Sequence, residues 1–157
     1  MKKALLLLIV LLVSSNGFAQ IQNIKQELVG TWEFSDMSDN TGKKIDTIKH
    51  PYGFELATGP LTTYRNDGTY TKQFTPKNAD NGKWYFDNEK NAIIHLLYYS
   101  KPYSFAAQYL IDKGHAKKDQ NGDYYEIVTD KIFELTSDKL TIVDSKGRKT
   151  TFLKKKE

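Results

Sequence analysis

The 157-residue chain has no cysteine. That excludes disulfides, thiolate metal sites and thiol nucleophiles, so stability must come from packing and hydrogen bonds. Arginine is almost missing as well: Arg65 and Arg148 are the two present. Nucleic-acid surfaces depend on Arg forks and clustered basic residues. The one basic cluster in the folded part, Lys154 to Lys156, reads as a solvated tail, so no nucleic-acid partner is expected. Histidine is sparse, at His50, His95 and His115, without His-x-His or His-x-x-x-His spacing. No metal site and no cofactor are expected from that pattern.

Catalytic and phosphate-binding motifs are missing too. Ser100 and Ser104 flank Pro102 without a Gly-x-Ser-x-Gly elbow. "DSKGRKT" (Asp144 to Thr150) lacks the glycine spacing of a phosphate loop. "KKDQNGDYYE" (Lys117 to Glu126) puts Gly122 and Glu126 too close to Asp119 for an EF-hand loop, so it reads as a hairpin turn. The chain is expected not to be an enzyme.

One long hydrophobic run exists, Ala4 to Val13, ten residues. It is too short to cross a bilayer, which takes about 20. Lys2 and Lys3 precede it, and small residues ending in "GFA" follow. This is the pattern of a secretory signal peptide over residues 1–19, cleaved near Ala19. With no cysteine after the run, no thiol is available for a lipid anchor. The expectation is a secreted or periplasmic protein with no membrane span after cleavage and one domain over residues 20–157. Without Lys2 and Lys3, 21 basic side chains face 19 acidic ones.

Aromatic residues are plentiful, at 13%, and they suit the pleated surface of strands. Turn signals recur at short intervals: "NDGT" (66–69), "DNGK" (80–83), "DNEKN" (87–91), "QNGD" (120–123), "TSDK" (136–139) and "SKGR" (145–148). The runs between them alternate. Trp32 and Phe34 share one face, as do Tyr70 and Phe74, Trp84 and Phe86, and Leu140 and Ile142. In "YYEIVTDKIFEL" the parity of Tyr125 and Ile127 is opposite to that of Ile132, which predicts a bulge or a break near Asp130–Lys131. Ile21, Ile24 and Leu28 predict a short helix over 20–28, and "PYSFAAQYLIDKG" predicts a second over 102–114. Residues 36–59 give little signal beyond a strand near Tyr52 to Leu56.

A short helix, then "LVGTWEF", then serial hairpins resembles the lipocalin-like domains, small exported barrels of the lipocalin and fatty-acid-binding type. "DGTY" (Asp67 to Tyr70), "GKWYF" and "FELTSDKLTI" (Phe133 to Ile142) are similar to the recurring hairpins of that group. The resemblance implies an all-β fold: an antiparallel up-and-down barrel of about eight strands, with a short N-terminal helix and one inserted helix. It implies that Gly30 lets backbone pass closely, that Trp32 plugs the closed end, and that a basic residue, Arg148, lies over Trp32. The family's helix after the barrel has no counterpart here.

An eight-stranded barrel holds one small ligand or is filled by side chains. Inward Tyr64, Tyr70, Phe74, Trp84, His95 and Leu97 are the candidate ligand-binding residues. A strand histidine such as His95 is also a common hydrogen-bonded core group. The aromatic run Tyr98 to Phe105 suggests a lid or recognition patch, or a helix pinned to the barrel. The expected function is non-catalytic binding of a small, partly hydrophobic molecule. The alternatives are a filled barrel that contacts a protein or glycan and, third, a barrel enzyme acting on a lipid or carbohydrate, with His95 as its candidate group.

Overall fold

The computed structural model describes residues 24–156. The signal-peptide reading, over residues 1–19, and the start of the N-terminal helix lie outside the described residues. Residues 24–28 are helical (α1). The strands are β1 (Gly30–Ser38), β2 (Thr47–His50), β3 (Gly53–Leu56), β4 (Leu61–Tyr64), β5 (Thr69–Thr75), β6 (Asn78–Asp87), β7 (Ala92–Tyr98), β8 (Lys117–Lys118), β9 (Tyr124–Leu135), β10 (Lys139–Val143) and β11 (Lys149–Lys154). The inserted helix, α2 (Phe105–Asp112), lies between β7 and β8 and is capped by Ser104, whose hydroxyl accepts from the Ala107 N–H.

Eight strands close into an antiparallel barrel in the order β10-β11-β1-β4-β5-β6-β7-β9, with β9 returning to β10. β8 adds a short edge to β9, and β2–β3 forms a separate hairpin. Because the strands alternate in direction, the connections segregate to two ends. α1 and the 65–68, 88–91 and 136–138 turns lie at one end. The β2–β3 hairpin, the 75–78 turn, the insertion with α2 and the 144–148 turn lie at the other.

Most turn signals act as read. Asp67 accepts from the Thr69 N–H at 2.9 Å, and Gly68 takes φ +81°. Asp119 and Asp144 bind backbone N–H groups in their own turns in the same way. "DNGK" is a correction. It lies inside β6, and the actual turn is at Thr75–Asn78. Gly82 is there for close approach: a Cβ at this position would meet the Leu96 carbonyl oxygen and lie 2.8 Å from the Tyr70 ring.

The bulge in β9 also differs from expectation. β9 runs unbroken, and its register against β10 shifts between Glu134 and Ile132. No realignment is needed near Asp130, because Ile127 and Phe133 face solvent at 41% and 56% exposure. Asp130 shares the inward parity of Ile132.

The core is one cluster: Leu28, Trp32, Tyr64, Tyr70, Trp84, Ile93, Ile132, Leu140 and Phe152. At the α1 end Trp32 is fully buried and donates its indole N–H to the Leu28 carbonyl at 2.7 Å, satisfying a helix-terminal acceptor. Lys154, its register partner on β11, lays its ammonium over the indole at 5.1 Å and donates to the Glu27 carbonyl at 2.7 Å. Gly30, at φ +132°, leaves room for that side chain, since a Cβ would stand 2.5 Å from Lys154 Cε. Arg148 is therefore not the residue over Trp32. It lies in the β10–β11 turn at the opposite end, held by Asp144 at 2.6 Å. The antiparallel register puts the last residue of β11, rather than the residue before its first, beside Trp32.

Candidate functional site

The lumen has a packed part and an open part. In the packed part Tyr64, Tyr70, Trp84 and His95 form one aromatic stack. Tyr64 lies 4.9 Å from Trp84, and the His95 ring lies 4.7 Å from Tyr70 and 5.6 Å from Tyr64. Cross-strand pairing puts them there: Tyr64 faces Tyr70, and Trp84 faces His95. Trp84 donates to the Arg65 carbonyl at 3.2 Å, tying β6 to the β4–β5 turn.

His95 is 1% exposed, and its Nε2 lies 2.9 Å from the Tyr64 hydroxyl. Its Nδ1 is buried, has no hydrogen-bond partner among the described residues and lies 3.5 Å from Asp130 Oδ2. Burial, helped by the Lys72 charge, holds the imidazole pKa down at about 4 against the opposing pull of Asp130. The ring is thus neutral at pH 7, and its Nε2 shares one hydrogen bond with the Tyr64 hydroxyl. Burial pushes the Tyr64 phenol well above its ordinary range, with Asp130 and Tyr70 adding to the effect, and raises Tyr70 to about 12.

The open part is a pocket of about 190 Å³, lined by Trp32, Pro60, Thr62, Tyr64, Lys72, Phe74, Asp130, Leu140, Ile142 and Phe152. Apolar groups make most of its wall. The exception is an ion pair, Lys72 Nζ to Asp130 Oδ2 at 3.1 Å, with side chains 19% and 20% exposed. Lys72 comes from β5 and Asp130 from β9, so the pair spans the lumen in front of β6 and β7.

Beside the pocket the sheet is incomplete. β10 leaves β9 at Val143–Lys131, and β8 takes up β9 again only at Tyr125. Residues 126–130 therefore have β7 on one edge and no strand on the other. A groove lies at that gap, and it shares Asp130 and Ile142 with the pocket.

Of the candidate ligand-binding residues, Tyr64 and Phe74 line the pocket, and Phe74 is half exposed. Tyr70, Trp84 and His95 belong to the packed stack, with His95 touching the pocket through Asp130. Leu97 pairs with Gly82 and Glu126 and does not line the pocket. Trp32, expected as a plug, is fully buried and also lines the pocket. Lys72 and Asp130 escaped the sequence reading, although their parity was available: Lys72 lies between Tyr70 and Phe74, and Asp130 lies two residues before Ile132. Among the described residues no group of three or more His, Asp or Glu converges as a metal site would require.

The end of the barrel opposite α1 carries unpartnered apolar groups. Tyr52, Phe54 and Leu56 on the β2–β3 hairpin are largely exposed, as are Phe105 and Tyr109 on α2. Those two rings do not pin the helix; Ala107 is its buried residue. No described helix is long and apolar enough to cross a membrane.

The described residues form a closed eight-stranded antiparallel barrel whose first strand carries Gly-x-Trp. Three solved structures are similar to it. One is a lipocalin-like protein from Bacteroides uniformis, at 15% identity and TM-score 0.48, covering 82% of this chain and 99% of that one. The second is an uncharacterized protein from Bacteroides eggerthii, at 18% identity and TM-score 0.47, with the same coverage. The third is a DUF4847 family protein from Bacteroides vulgatus, at 14% identity and TM-score 0.43, covering 83% and 95%. No family model matches the chain, and no curated protein matches it.

Proposed function

We propose that residues 20–157, exported after loss of residues 1–19, bind a small, partly hydrophobic molecule in the lumen pocket and do no chemistry on it. The observation that carries this reading is the pocket itself: about 190 Å³ of space walled by Trp32, Phe74, Leu140, Ile142 and Phe152, with one ion pair inside. Protein interiors rarely leave voids larger than a water molecule. A dry cavity of about 150 Å³ holds benzene, so this one suits a molecule of one ring or a short chain, and a long acyl chain exceeds it.

The Tyr64–His95–Asp130 line resembles a proton relay, but its His95–Asp130 link is a 3.5 Å contact with no hydrogen bond among the described residues. A nucleophilic relay needs a base poised near neutral pH. His95 is too weakly basic, and the Tyr64 proton is held too tightly. The interaction-module reading rests on a separate observation, the exposed Tyr52, Phe54 and Leu56 on one hairpin.

Native mass spectrometry of the protein purified from its own host tests the proposal. A stoichiometric bound molecule of single-ring or short-chain size is expected. A clean unliganded mass, unchanged by a panel of small hydrophobic compounds, would overturn it and turn attention to the hairpin.

A further inference from the structure

Lys72 and Asp130 are bound to each other, and among the described residues that is the one side-chain hydrogen bond either makes. An ammonium has three donors and a carboxylate about four acceptor positions. Donor and acceptor capacity therefore remains on the pair, at a place about four-fifths withdrawn from solvent and facing the pocket. The pocket holds one positive and one negative charge, and the adjacent His95 lies behind them. Its lining is thus net neutral but strongly polarised at one wall.

Resting on the binding reading above, we propose that this pocket selects a net-neutral, ring-sized ligand that presents a hydrogen-bond acceptor and a donor side by side, the acceptor to Lys72 and the donor to Asp130. A carboxamide fits this description. Its carbonyl oxygen accepts from Lys72 Nζ, its N–H donates to the Asp130 carboxylate, and both bonds are charge-assisted. The ring then lies against Phe74, Leu140, Ile142 and Phe152.

A charged ligand of the same size is disfavoured for a definable reason. An anion attracted to Lys72 stands beside Asp130, whose oxygen is 3.1 Å from that ammonium. Attraction and repulsion act over similar distances and largely cancel, while the cost of removing the charge from water remains. A cation meets the mirror-image problem. A purely apolar ligand leaves the spare polar capacity of the pair cut off from water, so it too binds more weakly.

The test is titration calorimetry with four single-ring probes: benzamide, benzoate, benzylammonium and toluene. The full chain is compared with Lys72→Met, Asp130→Asn and the double variant Lys72→Met/Asp130→Leu. Benzamide is expected to bind at least tenfold more tightly than the other three. Lys72→Met should move the preference to benzylammonium, and Asp130→Asn should move it to benzoate. A residue that only holds the barrel together would weaken all four probes alike. Removing one member of a buried pair can unfold a protein, so the double variant keeps the test open. It removes both charges and should bind toluene in preference to benzamide. Equal affinity for all four probes, or benzoate binding tightest to the unmodified chain, would overturn the selectivity and leave the binding pocket standing. Failure of every probe, toluene included, would overturn the pocket reading as well.

Discussion

The two parts of the lumen are built from the same materials and do opposite things. The packed part joins Tyr64, Tyr70, Trp84 and His95 ring against ring, and each of the four is at most 3% exposed. The pocket beside it has comparable aromatic walls but leaves space and keeps a solvent-touched ion pair. The difference lies in the residues that fill the gaps between rings. Gly82 lets Tyr70 settle against β6, and compactness follows. Lys72 and Asp130 cannot pack without partners, because an unpaired buried charge is costly. They meet each other across the lumen and form the polar wall of the open part.

Substitutions should separate the two parts sharply. Trp84→Ala empties the centre of the packed part and is expected to cost about 3–5 kcal/mol of stability, read by urea unfolding. Phe74→Ala, at a half-exposed wall of the pocket, should cost about 1 kcal/mol or less while abolishing ligand binding. If both cost the same, the division of the lumen is wrong.

Acid should weaken the packed part before the rest. The folded His95 pKa, about 4, lies below the unfolded value near 6.5. The unfolded chain therefore takes up a proton that the native ring refuses. Stability is complete above about pH 6.5 and falls as pH drops toward 4, by about 3 kcal/mol at most. The lowered carboxylates Asp39, Asp67, Asp87, Asp119 and Asp144 lose their contribution only below their ordinary value of 3.8. Of these groups, His95 is the one that acts between pH 6.5 and 4.5. Urea unfolding across it should show a slope that His95→Gln removes.

Arg148, expected over Trp32, and Lys154, found there, make the same contrast at smaller scale. Lys154→Met removes the cation over the indole and the bond to the Glu27 carbonyl, for about 1–2 kcal/mol. Arg148→Ala breaks a surface pair with Asp144 and should cost less than about 0.5 kcal/mol. Thermal unfolding of the two variants side by side decides between them, and a larger loss for Arg148 would contradict the register of β1 and β11.

The sequence was most legible where local chemistry and period agree. The Asp-Gly and Asn-Gly turns, the alternation of Trp84 with Phe86 and of Leu140 with Ile142, and the inserted helix after Pro102 all follow from short-range rules. β2 went unseen because "TIKH" has no buried face to imprint a pattern, and all of β3 is exposed. "DNGK" misled because a glycine needed for close packing has the same letters as a glycine needed for a turn. Lys72 and Asp130 were passed over because charge is ordinarily evidence of an outward face, and only their mutual pairing makes the inward position tolerable.

By itself the sequence determined the alternating strands, most of their turns and the burial of Trp32, since period and turn chemistry act over a few residues. Tertiary structure alone decided that Lys154 covers Trp32, that His95 lies behind Asp130, and that a pocket survives in the lumen. Each of these depends on register and closure across strands far apart in the chain. Lys72 and Asp130 are 58 residues apart, and no local pattern encodes their meeting.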